Sequence, residues 1–153
     1  MVILLKQFAK LTFTTCIEKG LLEQVLPSQQ KAERSIAYAE GILEEARATL
    51  AHKHLHATIA LAYQAAFHAA RALLEADGWR EKSHACVARY LEEKHVKAGR
   101  LEQAIPALLD RMRDIRHSNQ YNTDFIATEA EAAQMVKSAA NIIAAIKKVI
   151  KKA

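Results

Sequence analysis

Between Arg111 and His117 four basic side chains, Arg111, Arg113, Arg116 and His117, fall within seven residues, and Tyr121 follows four positions later. An arginine keeps its charge in any environment and grips phosphate with a fixed fork of donors, whereas a histidine titrates near neutrality and can give or take a proton. Together these are the types that metal-free chemistry on a phosphodiester needs: one group to offset charge at phosphorus, another to move the proton of a hydroxyl. Spacing restricts which of them can cooperate. Arg111 and His117 are six apart, about 240° around a continuous helix, and face apart unless the helix ends between them. Arg47 and His52 form a similar pair on another segment, and with 22 Lys and Arg and seven His such pairs arise by chance. The plain alternative for the whole stretch is a basic helix end, which the negative pole of the helix dipole favours.

Two further groups invite a chemical reading. From Gln64 to Glu75 the only polar side chains are Gln64, His68, Arg71 and Glu75. Their spacings of four, three and four place them in one narrow stripe of an otherwise apolar helix. The stripe either faces solvent and neighbouring charges or lines a cleft or a subunit contact. His52, His54 and His56 suggest a metal, since residues four apart share a helix face. Zinc wants three or four ligands, however, and AHKHLH offers two well-placed ones with no Cys or carboxylate at ligand spacing, so no metal is expected. No other cofactor is expected either, because the chain has no Gly-rich phosphate loop and no paired metal carboxylates.

These residues must be positioned by helices. The 153 residues are enough for one core that buries roughly two-thirds of the unfolded surface, and 51% are apolar and 25% charged, with four Gly and two Pro. That profile, rich in Ala, Leu, Glu and Lys, reads as all-α, with strand-forming runs absent. Breaks at Pro27-Ser28, Asp77-Gly78, Ala98-Gly99 and Asn119 to Thr128 divide the chain into six helical segments. The first is expected over Ile3 to Val25, and Ser28 caps a second that runs to about Leu50. The third, about His54 to Ala76, is apolar over most of its circumference and should be central. A fourth covers Lys82 to Lys94, and a fifth runs from Leu101 to about His117. The last opens at Thr128, where TEAE reads as a capping box. The expected architecture is an antiparallel bundle of four to five core helices, residues 27–153, with residues 1–26 as an N-terminal helical extension.

Cys16 and Cys86 show neither metal-site spacing nor a disulfide framework, so two reduced thiols and a cytoplasmic location are expected. The opening MVILLKQFAKLTF is too short an apolar run for a signal peptide, and nothing approaches the 18 apolar residues of a membrane span. A net charge of +5 permits an acidic partner without requiring one. With only nine aromatic residues (one Trp, four Tyr, four Phe), several at core spacing, any nucleic-acid contact is expected to be phosphate-directed.

The third and fourth segments, LAYQAAFHAARALLEADGWREKSHACVARYLEE, closely resemble the small stand-alone prokaryotic branch of the HEPN family. Tyr63, Phe67, His68, Arg71, Ala72, Leu73 and Leu74 match its Tyr-x-Ala-x-Phe-His-Ala-x-Arg-Ala-Leu-Leu core, and Gly78 and Lys82-Ser83-His84 match the Gly and Lys-Ser-His that follow. The similarity extends from about Gln29 to Lys148. It implies a bundle that dimerises, so that the ends of two central helices meet across a positive cleft. In catalytic members it implies a metal-independent ribonuclease whose motif is an Arg, a polar residue and, four to six positions after the Arg, a His.

Under that resemblance the catalytic positions are Arg116, His117 and Tyr121, with Tyr121 where the second imidazole is expected. Tyrosine, with a pKa near 10, is a poor general base at neutral pH. RHSNQY nonetheless looks like the Arg-Asn-x-x-Asp-Tyr of the stand-alone branch. Arg116, Arg113, His68, Arg71, Lys82 and His84 are the expected contacts for RNA or nucleotide. Two functions are therefore carried forward. One is a component of a toxin-antitoxin or defence pair that binds RNA or nucleotide at a dimer cleft, with or without ribonuclease activity. The other is a non-catalytic helical adaptor that partners a small nucleotidyltransferase.

Overall fold

The computed structural model describes residues 11–152. Within them the elements run α1 (Phe13–Glu18), β1 (Leu22–Gln24), α2 (Gln29–Ala51), α3 (Leu55–Asp77), β2 (Trp79–Glu81), α4 (His84–Leu91), α5 (Ala104–Tyr121) and α6 (Glu129–Lys152). A π-helical turn, Glu92–Val96, carries α4 onward. The fold is all-α, a helical bundle with one short strand pair at its edge.

The centre is α3, as its all-round apolar surface predicts. It packs against α2, α6 and α5, and Ala62, Ala65, Ala66, Ala69, Ala70 and Ala72 are fully buried. A run of methyl side chains lets several helix backbones approach closely while larger residues such as Ile59, Leu73 and Leu74 fill the gaps. The predicted Ser28 cap is in place, and of the predicted Thr128 capping box the half made by the threonine hydroxyl is present among the described residues. The Ser28 hydroxyl accepts from the Lys31 N–H at 3.1 Å, and the Thr128 hydroxyl accepts from the Glu131 N–H at 3.1 Å. Helix α3 ends at Gly78, whose φ of 87° is left-handed. Space excludes a side chain there as well: an added Cβ would lie 2.7 Å from the Val25 carbonyl oxygen and 2.8 Å from the Pro27 ring. The chain leaving β1 thus crosses the end of α3 over a bare backbone, with the Val25 N–H bonded to the Gly78 carbonyl at 2.9 Å.

Several expectations are corrected around this crossing. Where the structure describes it, the N-terminal segment is not one helix to Val25, while residues 3–10 lie outside the described residues. Helix α1 closes after six residues, with the Leu21 N–H returning to the Cys16 carbonyl at 2.8 Å and the Gly20 N–H to Ile17 at 3.0 Å around left-handed Gly20. Strands, expected to be absent, form an antiparallel pair in the register Leu22 with Glu81, Glu23 with Arg80 and Gln24 with Trp79. Three residues per strand are too few for a period-2 signal, and the pairing joins segments far apart in sequence. The two thiols expected to be free are joined as a Cys16–Cys86 disulfide across a separation of 70 residues, both fully buried. That contact exists only once α1 has docked on α4, so spacing could not reveal it. The fourth helix opens two residues later than expected and continues through the π-helical turn to Val96, and α5 runs a full turn past His117 to Tyr121.

Candidate functional site

A groove of about 490 Å³ opens where α3, the start of α4 and the end of α5 meet, bordered by Tyr63, Phe67, His68, Arg71, His84 and Arg116. Each side chain arrives there for a local reason. Tyr63 and Phe67 lie one helical turn apart on α3 and are buried. His84 is the first residue of α4, immediately after its cap Ser83. Arg116 lies five residues before the end of α5.

The groove joins a free cation to an imidazole. The Arg116 guanidinium sits 4.7 Å from the centre of the Tyr63 ring and donates to Gln120 Oε1 at 2.9 Å. It pairs with no carboxylate among the described residues. Its Nε is buried without a hydrogen-bond partner. Arg89 Nε is buried and unmet as well, so what sets Arg116 apart is a permanent charge with no carboxylate at a groove. His84 stacks on Phe67 with ring centres 3.9 Å apart and planes 8° from parallel, and its Nδ1 is 2.9 Å from the Tyr63 hydroxyl. That bond commits Nδ1 to Tyr63. It leaves Nε2 for the groove, with a lone pair when Tyr63 accepts from Nδ1 and a proton when Tyr63 donates.

Electrostatics keep the imidazole uncharged. Partial desolvation, then the positive charge of Arg116, holds the His84 pKa below its ordinary value, and Glu81 opposes weakly. The ring is therefore neutral at physiological pH. Burial pushes the Tyr63 hydroxyl up, against the pull of Arg116, so it stays protonated. His68 is likewise lowered, by desolvation and then by Arg71.

The stripe on α3 is partly consumed by structure. Gln64 donates to the Tyr38 hydroxyl at 3.0 Å, Glu75 accepts from Ser35 at 2.5 Å, and Arg71 donates from Nε to Glu81 at 2.7 Å. His68 and Arg71 still reach the groove. Of the other residues singled out from the sequence, Lys82 turns to β1, with its ammonium 3.3 Å from Glu23. Arg113 lies 3.6 Å from Asp110 and acts on Tyr63 and His84 only through its charge. His117 and Tyr121 lie against each other with their rings tilted by 51°, 4.8 Å between ring centres, on the exposed side of α5, with Tyr121 64% exposed. The sequence reading placed Tyr63 in the core pattern and missed its bond to His84, although the two residues stand together in the Tyr-x-Ala-x-Phe-His and Lys-Ser-His motifs.

No three His, Cys, Asp or Glu side chains gather in a metal-holding group among the described residues. His52 Nδ1 bonds the Ala48 carbonyl at 3.0 Å and His56 Nδ1 bonds Asn119 Oδ1 at 2.5 Å. Among the described residues no helix is long and apolar enough to cross a membrane.

A family model described as the HEPN domain matches residues 25–149. A curated protein of Methanocaldococcus jannaschii, named "Putative toxin MJ0605", is 29% identical over 133 residues, covering 87% of this chain and 97% of that protein.

Proposed function

Because the chain belongs to the HEPN family, we propose that it is the toxin-type member of a toxin-antitoxin or defence pair and that it binds the phosphate of RNA or nucleotide in the Arg116–His84 groove. The observation that carries this reading is the Arg116 guanidinium, fixed over Tyr63 with no carboxylate partner among the described residues, beside a neutral imidazole. The similarity to a protein named as a toxin supports the biological class.

The chemistry needs no metal. His84 Nε2 takes the proton of a ribose 2′-hydroxyl, the 2′-oxygen attacks the adjacent phosphorus, and the bond to the 5′-oxygen breaks to leave a 2′,3′-cyclic phosphate. Arg116 offsets the extra charge on the phosphoryl oxygens, and the proton held by the imidazole returns to the leaving oxygen. In this reading His84 carries the proton, while His117 and Tyr121, both exposed, belong to the surface that a second protomer covers in a homodimer.

A second reading, the non-catalytic partner of a small nucleotidyltransferase, is favoured by Tyr121. It stands five positions after Arg116, where the family motif has a His, so that position supplies no imidazole. One assay separates the two. Purified protein is incubated with 5′-labelled single-stranded RNA in excess chelator, alongside Arg116→Ala and His84→Ala. Cleavage to cyclic-phosphate ends that both substitutions abolish supports the ribonuclease. Absence of cleavage, with nucleotide or transferase binding that Arg116→Ala weakens, supports the adaptor. Cleavage that survives both substitutions overturns the placement of the site.

A further inference from the structure

Beside the Arg116 groove lies a second hollow, of about 610 Å³, on the face of α2. It is lined by Lys31, Arg34, Tyr38, His68, Arg71 and Glu75, so His68 and Arg71 border both hollows and make them continuous.

Three features set this face apart from ordinary charged surface. Tyr38 is 48% exposed, yet its ring is held from two sides, by the Gln64 donor on its hydroxyl at 3.0 Å and by His68 in edge contact at 4.7 Å. An exposed aromatic that is already immobilised can seat a flat ligand without losing further side-chain freedom. Lys31 and Arg34 are exposed and pair with no carboxylate among the described residues. Of the acids nearby, Glu81 is paired with Arg71, and the single charge of Glu75, which accepts from Ser35, is outnumbered by Lys31 and Arg34. The face therefore offers free positive charge beside a fixed aromatic ring, the combination by which proteins hold single-stranded nucleic acid.

Length fits as well. Tyr63, which carries Arg116, and Arg71 are eight residues apart on α3, about 12 Å at the helical rise. That distance exceeds the rise of about 3.4 Å between stacked nucleotides several-fold, so a ligand that reaches both ends is longer than a mononucleotide. We propose that the α2 face is a second nucleotide subsite, in which Tyr38 and His68 seat a base and Lys31, Arg34 and Arg71 hold the phosphates of a single strand that continues from the Arg116 groove. The inference rests on the phosphate-binding reading of that groove and adds to it a polynucleotide ligand with stacking, where the sequence pointed to phosphate contacts alone.

The test uses the full chain with two probes: a fluorescein-labelled ten-nucleotide oligouridine whose 2′-hydroxyls are methylated, so that it binds as RNA and cannot be cleaved, followed by anisotropy, and UMP, followed by calorimetry. The double substitution Lys31→Ala, Arg34→Ala should weaken the RNA about tenfold and leave UMP binding unchanged. It should also reduce the slope of log affinity against log salt by about 1.4, two phosphate contacts' worth for a single strand. Tyr38→Ala should weaken the RNA about tenfold, and Tyr38→Phe, which keeps the ring and its His68 contact but loses the Gln64 bond, should weaken it far less. All three side chains are exposed, so a thermal melt unchanged from wild type checks that the fold is kept. RNA affinity and salt slope unchanged in the double variant overturn the subsite, while loss of both probes in Arg116→Ala still upholds the groove. Conversely, RNA binding that depends on Lys31 and Arg34 but not on Arg116 upholds the α2 face and overturns the groove reading.

Discussion

Two histidines in this chain have nearly the same neighbours and opposite fates. His84 touches a tyrosine hydroxyl, at 2.9 Å, and lies near an arginine, at an exposed edge. His95 is 3% exposed, its Nε2 is 2.7 Å from Asp77 Oδ2, its Nδ1 receives Arg100 Nε at 3.3 Å, and the Tyr90 hydroxyl donates to the same Asp77 oxygen at 2.6 Å. Every polar atom around His95 is spoken for, whereas His84 keeps Nε2 free. The arginines divide by charge partner. Arg89 is nearly buried and held by Asp110 and by Glu92, the latter at 2.9 Å, although its Nε lacks a hydrogen-bond partner, while Arg116 has no acid among the described residues. Saturated groups hold a fold together, and unsaturated ones at an opening are available to a ligand.

The contrast is broken most forcefully by substitution on the saturated side. Asp110→Ala leaves the Arg89 charge largely buried with only Glu92, and should cost about 3 kcal/mol in urea unfolding. Nucleotide binding by the folded fraction should be untouched. His84→Ala should do the reverse, with cleavage or binding reduced by about a hundredfold and the urea midpoint hardly moved. If the two variants exchanged these phenotypes, the division of labour would be wrong.

A smaller effect sharpens it. Tyr90→Phe removes one of the donors on Asp77 and should cost about 1 kcal/mol, with no change in RNA affinity. pH discriminates more finely still. The carboxyl of Asp77 is raised by burial, but hydrogen bonds from His95 and Tyr90 outweigh this and leave its pKa below the ordinary value. A depressed carboxylate adds stability above its unfolded pKa, which is lost as pH falls through the folded value, so Asp77 should weaken the protein below about pH 4. His84 has the opposite relation to charge, since its pKa is lowered and the unfolded state binds the proton first. Stability should therefore fall slightly as pH drops through about 6.5, and His84→Gln should flatten that slope in melts recorded from pH 7 to pH 5.

Much of the scaffold was legible because it is written in local rules. The three-four spacing on α2, α3 and α6, the Ser28 and Thr128 caps and the left-handed stop at Gly78 each act within one helical turn. The order of motifs around Phe67-His68 and Lys82-Ser83-His84 pointed to the family, and Arg116, singled out with them, borders the groove. What escaped notice depends on docking. The strand pair, the Cys16–Cys86 bond and the Tyr63–His84 contact all join segments brought together only by the folded bundle. Lys82 shows the converse. Its place in a motif suggested a ligand contact, but Glu23 on a strand invisible to periodicity takes its charge.

The Cys16–Cys86 bond also changes what kind of object the chain is. It closes a covalent ring that contains α2 and α3 whole, so a protease cut anywhere between these residues opens the ring without releasing a fragment until a reductant is added. Within the unfolded ensemble a ring of this length removes conformations worth about 4 kcal/mol. Because both sulfurs are fully buried under α1, a reductant can reach them only after that segment lifts from α4. The rate of thiol exchange thus becomes a clock for that local opening, ticking beside Lys82-Ser83-His84, the turn that presents the imidazole.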